Sequence, residues 1–478
     1  MSKRNTAIKG VTWSAIERFS LQGVQFVVSI ILARLLQPSD FGLVAIVLVF
    51  STIFLTINES GFNVALIHKL DRDQIDYSTS FFTNLCIGVI SYLILFFISP
   101  LIASFYNTPQ LISITRILSL TLIINAFGLV QSAQYTIRVD FKTLARASLT
   151  SAIISGIIGV LAALYYRNVY AIVIQQILFR LLYVVFMWLN SKWRPSFVFS
   201  FERFKLLFSF AYKLITARLI SVIFDDIYSL AIGKLYTPST LGFYNRAMSF
   251  RSVLSRNIVQ IIQRVSVPML CEVQNDKKKM QNLLLHFVKN TAFIVYPLLA
   301  GLMALSSPLV YVLLGEKWID TSTMLIYGCP VGFFYLISTF NRNVFNATGR
   351  TDWALKSEIF KKIIFVMIFL LTMKYDIEIL LLGLILISIL EMLVDTSFTY
   401  KQIDLSILAQ LKSLVGIVLA TLVMAIIVYI STFLFNSYLF QLIFGTIIGI
   451  FTYTVTCYIF NICNFKKELN THVRKIIK

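Results

Sequence analysis

Long apolar stretches recur along the whole chain, and short polar or basic segments separate them. A run of about eighteen or more apolar residues is long enough to cross the hydrocarbon core of a membrane as an α-helix. We predict about fourteen such helices, centred near residues 24, 54, 92, 124, 155, 180, 222, 255, 297, 335, 365, 390, 424 and 451. The pattern therefore predicts an all-α integral membrane protein.

The composition excludes a water-soluble domain. Hydrophobic residues make up 58% of the 478 residues and charged residues only 13%, whereas soluble domains contain about 25% charged residues. The net charge of +20 comes from lysines and arginines spread over the segments between helices, so we do not expect nucleic acid as a partner. Most of these cations fall on one side of the predicted helices, which predicts a bacterial cytoplasmic membrane protein with both termini cytoplasmic.

A repeat with an offset of two hundred residues lies in the chain. Residues 29–50 read SIILARLLQPSDFGLVAIVLVF, and residues 229–250 read SLAIGKLYTPSTLGFYNRAMSF. Pro38 and Gly42 match Pro238 and Gly242. Each copy follows the first helix of a six-helix block, which indicates duplication with a parallel orientation. We predict an N-terminal lobe of helices 1–6 (residues 1–200), a C-terminal lobe of helices 7–12 (201–405), and helices 13–14 with a basic tail (406–478).

Polar and charged residues line one face of the first, second, seventh and eighth predicted helices. A charge at a helix centre costs roughly 2.5–3.5 kcal/mol on insertion, so such residues are rare and usually face the protein interior. The stripes of the first and seventh helices, and those of the second and eighth, coincide under the offset. Their candidate site residues are Arg18, Gln25, Glu59, Arg218, Asp225, Asp226, Arg246, Arg256 and Gln260.

Two lobes with opposed polar faces would enclose a hydrophilic cavity and work by alternating access. The alternative is that the stripes only hold helices together by hydrogen bonds of about 0.6–2 kcal/mol each. Arginine outnumbers carboxylate on the stripes, which favours an anionic solute. Asp225, Asp226 and Glu59 are candidates for binding a coupling ion, H⁺ or Na⁺, and the alternative for Asp225 is a permanent ion pair with Arg218.

The sequence contains no catalytic or cofactor-binding motif. The five cysteines and three histidines lack the spacing of a metal site, and no phosphate-binding Walker loop occurs. A membrane glycosyltransferase or polymerase is the rival class, but it would usually need an acidic cluster in a sizeable loop. We therefore predict no enzymatic activity and no cofactor apart from the coupling ion.

Several segments resemble the polysaccharide-exporter branch of the multidrug/oligosaccharidyl-lipid/polysaccharide flippase superfamily. They are Trp13-Ser14 after the basic N-terminus, Ala33–Gly42, Leu241–Ala247, Gly315–Trp318 and Ala347–Asp352. The resemblance covers most of the chain and is weakest after about Ser406. It implies a two-lobed flippase that moves undecaprenyl-diphosphate-linked oligosaccharide to the outer leaflet for export of cell-surface polysaccharide.

The resemblance also implies site residues and partners. The family's cavity arginines map onto Arg18, Arg218, Arg246, Arg256 and Arg342 of this sequence. Membrane lipids, a polysaccharide polymerase and chain-length machinery are the implied partners beside the lipid-linked oligosaccharide. A lipid II flippase and a multidrug antiporter are the alternatives within the superfamily. An antiporter for organic cations should carry more carboxylates than arginines, whereas a lipid II flippase would also handle a diphosphate.

Overall fold

The computed structural model describes residues 20–462, which form helices joined by short connections, with no β-strand among them. A 3₁₀ turn, Glu316–Trp318, precedes α14. In chain order the α-helices are α1 Ser20–Leu35, α2 Pro38–Ser60, α3 Phe62–His68, α4 Gln74–Phe105, α5 Gln110–Leu118, α6 Leu120–Ile137, α7 Phe141–Tyr166, α8 Tyr170–Asn190, α9 Phe201–Leu235, α10 Pro238–Leu254, α11 Arg256–Glu272, α12 Lys277–Ala304, α13 Ser306–Leu314, α14 Asp320–Ala347, α15 Thr351–Thr372, α16 Ile377–Ile403, α17 Ile407–Thr432 and α18 Tyr438–Ile459.

The all-α membrane architecture is confirmed. Within the described residues, eleven segments are long and apolar enough to cross a membrane. The other three predicted spans, centred near 24, 255 and 365, coincide with α1, the pair α10 and α11, and α15. The described part of α1 is apolar but short, whereas α10, α11 and α15 carry more polar residues. The span near 255 is divided at Ser255, where α10 ends and α11 begins. The number fourteen itself remains a prediction.

The chain divides into two compact units, residues 1–242 and 243–478, called unit 1 and unit 2 below. In unit 1, α7 packs against α8, α4 against α6, and α2 against α9. Leucine, isoleucine and alanine side chains fill the helix interfaces, among them the fully buried Leu66, Leu111 and Leu122. Burial of apolar surface against neighbouring helices leaves the lipid-facing side chains exposed.

In unit 2, α14 is the central helix and contacts α11, α12, α15 and α16, while α17 packs against α12 and α18. Phe340 and Phe345 of α14 are fully buried, and Phe287 of α12 stacks on Phe340 with ring centroids 6.2 Å apart. Side chains on α14 are therefore held between several helices. Polar side chains in such an environment have few alternative conformations.

The repeated Pro-Ser-x-x-Gly turn has a packing role in unit 1. Pro38 and Pro238 stand at the first position of α2 and α10, where a missing backbone N–H costs nothing. A Cβ atom built on Gly42 would collide with the carbonyl oxygen of Pro238, and one built on Gly242 would collide with that of Pro38. Only glycine permits this close approach, so the structure gives the repeated glycines a shared physical reason.

Candidate functional site

The predicted site residues of unit 1 lie on α1, α2 and α9. Gln25, Arg218 and Asp225 are exposed, and Asp226 is half-buried. Arg18 precedes the described residues. No ion pair joins Arg218 to Asp225 in the part of the chain that the structure describes, so the alternative of a permanent pair between them finds no support there.

Glu59 on α2 is part of a hydrogen-bonded chain that crosses unit 1. The side-chain nitrogen Nδ2 of Asn125 on α6 donates to Oε1 of Glu59 at 3.0 Å. The oxygen of the same amide accepts a hydrogen bond from Arg180 of α8 at 3.2 Å. Asn125 is buried and thus connects a carboxylate to a guanidinium through one amide. Such an arrangement satisfies both charges without direct contact.

An ionic cluster positions the start of α9, the helix that carries Arg218 and Asp225. Lys69 pairs with the fully buried Asp76 at 2.6 Å, and Arg203 of α9 lies 3.8 Å from Asp76 and 3.4 Å from Asp73. Asp73 caps α4 by accepting from the backbone N–H of Asp76, and this bond lowers the pKa of the Asp73 carboxyl. The cluster therefore ties α9 to α4 and the end of α3.

In unit 2, Arg246 of α10 is buried and lies over the ring of Trp318, with 5.6 Å between the guanidinium carbon and the ring centroid. This cation–π contact stabilises the charge in an apolar setting. Trp318 follows Gly315, whose φ of 95° requires glycine. Two of the segments that carry the family resemblance, Leu241–Ala247 and Gly315–Trp318, therefore meet in space. Arg256 is exposed at the start of α11, and Gln260 is half-buried on it.

Arg342 belongs to a group of charges between α14, α15 and α16. It lies 3.2 Å from Glu358 and 3.9 Å from Asp395. Asp395 is fully buried and accepts hydrogen bonds from Ser338 and from Ser357, the latter at 2.5 Å. The buried Lys361 lies 3.3 Å from Asp395 and 2.5 Å from Glu358. We call these four charged residues the α14–α16 ion cluster.

A polar cavity of about 360 Å³ adjoins the α14–α16 ion cluster. Hydroxyl, amide and charged side chains line it, including Gln263, Tyr335, Thr339, Arg342, Asn346 and Glu358. We call it the α14 cavity. Unit 2 contains a second cavity, of about 420 Å³, between α12, α13, α17 and α18, and its lining is mostly apolar, with leucine, isoleucine and glycine prominent. The two cavities therefore suit ligands of opposite polarity.

Sequence reasoning missed Arg180, Lys361, Glu358 and Asp395. All four are charged residues in apolar helices, and that signal was available. They lie outside the first, second, seventh and eighth predicted helices, whose polar stripes contain all the candidate site residues except Arg342. Among residues 20–462, no group of three or more His, Cys, Asp or Glu side chains is placed to hold a metal ion.

Comparison of the sequence with known protein families gives a match. The family model described as polysaccharide biosynthesis protein matches residues 31–323, which is more than half of the chain. The chain belongs to this family.

Curated relatives agree with that assignment. Teichuronic acid biosynthesis protein TuaB of Bacillus subtilis (strain 168) is 26% identical over 351 residues, covering 73% of this chain and 72% of TuaB. Succinoglycan biosynthesis transport protein ExoT of Rhizobium meliloti (strain 1021) is 26% identical over 313 residues, covering 66% and 63%. Lipopolysaccharide biosynthesis protein WzxC of Escherichia coli (strain K12) is 24% identical over 371 residues, covering 77% and 75%.

Solved structures show the same fold. The inward closed conformation of lipid II flippase MurJ superposes with a TM-score of 0.73 at 17% identity, covering 94% of this chain and 98% of MurJ. An inward-facing multidrug transporter of the MATE family, in the MOP superfamily, gives a TM-score of 0.63 at 14% identity, covering 82% and 98%. The all-α transporter fold that the resemblance implied is therefore confirmed.

Proposed function

We propose that the protein is a flippase that carries a lipid-linked oligosaccharide from the inner to the outer leaflet of a bacterial cytoplasmic membrane. The family match over residues 31–323 carries the proposal. Relatives of the chain in different bacteria are named for the biosynthesis of teichuronic acid, succinoglycan and lipopolysaccharide, and one of them for transport. The transporter fold supports it. The protein then acts as a transporter in polysaccharide biosynthesis and not as an enzyme.

The charged side chains give the transport a physical basis. A diphosphate and a glycan cannot enter the hydrocarbon core without large desolvation costs. Guanidinium groups such as those of Arg218 and Arg256, both exposed, can bind phosphate oxygens in bidentate fashion. Amide groups such as those of Gln25 and Gln260 can exchange hydrogen bonds with sugar hydroxyls. The lipid tail would stay in the bilayer while the polar head crosses.

The cycle would be alternating access. The polar site opens to the cytoplasm, where the glycan is assembled on its lipid, and then to the outer face, where a polymerase consumes it. Binding shifts such an equilibrium only if the substrate has different affinities for the two states. Net direction then comes from H⁺ or Na⁺ bound at Glu59, Asp225 or Asp226, or from consumption of the product outside.

Transport can be tested with purified protein in liposomes. The substrate is undecaprenyl-diphosphate-linked glycan with a fluorescent sugar, and the readout is quenching of label that reaches the opposite leaflet. We expect wild-type protein to accelerate its appearance there and Arg218→Ala to abolish the acceleration. Arg218→Lys should recover it in part, because lysine keeps the charge but loses the bidentate geometry.

Arg146→Ala is the matched control, since Arg146 is an exposed arginine of α7 outside the predicted stripes. It should transport like wild type. Wild-type liposomes that move no lipid-linked glycan would contradict the proposed function. Equal loss in Arg146→Ala and Arg218→Ala would show that the arginines act only on stability. Preference for lipid II over longer glycans would support the lipid II alternative.

A further inference from the structure

The α14 cavity differs in charge from the arginine-rich stripes. Its lining carries one cation and one carboxylate, Arg342 and Glu358, which lie 3.2 Å apart. Outside the lining, the buried Lys361 lies 2.5 Å from Glu358 and 3.3 Å from Asp395. Two further groups act on the same residues, Lys362 and Glu391. The neighbourhood thus holds three cations and three carboxylates, namely Arg342, Lys361, Lys362, Glu358, Glu391 and Asp395.

This balance excludes the diphosphate as the natural ligand of the cavity. A phosphate group that approached Arg342 would have to displace Glu358 or be repelled by it and by Asp395. An uncharged polar ligand meets no such obstacle. It can donate to Glu358 and accept from Arg342 without separating the pair, because an ionised carboxylate accepts and a guanidinium donates several hydrogen bonds.

The lining of the cavity is fixed before any ligand binds. Nε2 of Gln263 on α11 donates to Oδ1 of Asn343 at 2.9 Å, and Nδ2 of Asn343 donates to the hydroxyl of Ser266 at 3.3 Å. These bonds fix the planes of both amides, and the side-chain oxygen Oε1 of Gln263 takes no part in them. Arg342 is held by Glu358 and by the Thr339 hydroxyl at 3.5 Å. Such preorganisation lowers the entropic cost of binding.

The remaining lining suits a ring with many hydroxyls. Asn346 is exposed to the cavity and offers both a donor and an acceptor. Tyr335 offers an aromatic face beside a hydroxyl, and a sugar ring likewise has apolar C–H faces and polar edges. A volume of about 360 Å³ lies at the lower end of the range of about 300–1,000 Å³ for small-molecule sites, which is enough for a sugar unit but not for a long glycan.

We propose that the α14 cavity is a binding site for one neutral sugar unit of the transported glycan, separate from the arginines that meet the diphosphate. The proposal rests on the proposed function, since it names where part of that substrate binds. It also gives Arg342 a different role from the one that the family resemblance implies. Arg342 donates to sugar hydroxyls while it remains paired with Glu358.

Binding can be measured by saturation-transfer difference NMR on the purified full-length protein in detergent. The probes are D-glucose and N-acetyl-D-glucosamine, with D-glucuronate as the charged comparison. We expect transfer to at least one neutral sugar with an affinity on the order of millimolar, and weaker transfer to glucuronate. Transfer to glucuronate alone would overturn the assignment to a neutral sugar.

Two variants test the location. Ala354→Phe places a ring in the cavity, which Ala354 lines, and should reduce transfer at least fivefold. Leu355→Phe is its matched control, because Leu355 is the next residue of α15 and is 63% exposed; it should bind like wild type. Asn346→Ala removes one exposed amide without disturbing packing and should weaken binding about two- to tenfold, the factor expected for one hydrogen bond.

The outcomes separate this inference from the proposed function. If Ala354→Phe and Asn346→Ala bind neutral sugars as wild type does, the site lies elsewhere and the inference is overturned. If the wild type transports lipid-linked glycan and Ala354→Phe transports it equally fast, the cavity plays no part in transport and the flippase assignment stands. If the wild type transports no glycan in liposomes, the proposed function fails whatever the sugar binding shows.

Discussion

Removing the buried carboxylate of Asp395 should destabilise the protein more than any exposed charge substitution. Asp395 is fully buried, and the Lys361 side chain beside it is 3% exposed. In Asp395→Asn the ammonium group of Lys361 keeps its position but loses one of the two carboxylates that it contacts. Breaking a buried pair by removal of one partner costs about 3–5 kcal/mol, because the remaining charge is no longer compensated.

The contacts of Lys361 put the expected loss in free energy of unfolding near the lower end of this range. Lys361 retains Glu358 at 2.5 Å, and Glu358 is 40% exposed, so solvent screens part of that attraction. Asparagine can still accept hydrogen bonds from Ser338 and Ser357, although bonds to a neutral acceptor are weaker. We therefore expect a loss of about 3 kcal/mol in the free energy of unfolding. Addition of Lys361→Met, which removes the unpaired charge, should restore more than half of it.

The free energy of unfolding can be measured by adding dodecyl sulfate to the protein in maltoside micelles and following helicity by circular dichroism. Asp404→Asn provides the matched control, since Asp404 pairs with Lys277 at 2.8 Å but both side chains are more than 60% exposed. Exposed pairs contribute about 0–1 kcal/mol. The reasoning is refuted if Asp395→Asn costs no more than Asp404→Asn, or if the double variant is less stable than the single one.

Three further predictions follow from the packing, the topology and the carboxylates of α9. Gly42→Ala should lower the melting temperature in detergent, because its Cβ meets a backbone carbonyl, whereas Gly23→Ala, with nothing within 4 Å of the new Cβ, should leave it unchanged or raise it; equal melting temperatures would contradict the close approach. For the topology, single cysteines are placed at the exposed positions of Asp320 and Lys278 in a variant whose native cysteines are replaced. The cysteine at position 320 should react with an impermeant thiol reagent on intact cells, and the one at position 278 should not. The reverse labelling would invert the proposed topology. An inward proton gradient should accelerate flipping in liposomes and Asp225→Asn should lose that acceleration; dependence on a sodium gradient instead would make Na⁺ the coupling ion, and dependence on neither would refute coupling.

Features that lie within one helix, or that recur in the repeat, could be predicted from the sequence. The apolar runs predict the spans, and the offset of two hundred residues singles out Gly42 and Gly242. Contacts between helices could not be predicted in this way. A helical pattern shows which residues share a face, but it does not show that Asn125 lies between Glu59 and Arg180, three residues on three different helices.

The α14–α16 ion cluster illustrates the same limit. Asp395 lies on α16 and its partners come from α14 and α15, whereas Lys361 of α15 pairs with Glu358 of its own helix and with Asp395. Only packing brings them within 3.3 Å. The family resemblance gave Arg342 a place among cavity arginines, but a resemblance does not include the local carboxylates. The pairing with Glu358 is a contact between α14 and α15 that the structure shows, and it changes which ligand Arg342 suits.

The reciprocal contact of the two Pro-Ser-x-x-Gly turns bears on how the chain arose. Residue 42 meets residue 238, and residue 242 meets residue 38. This exchange of partners is the rule of an isologous interface, in which one patch on each of two identical subunits meets its own copy across a two-fold axis. A half-length ancestor with one such turn would have had the complementary surface on a second copy of itself. Fusion of the two copies would fix their stoichiometry and let the halves diverge in charge. The two glycines would keep their contacts with the backbone carbonyls of Pro38 and Pro238.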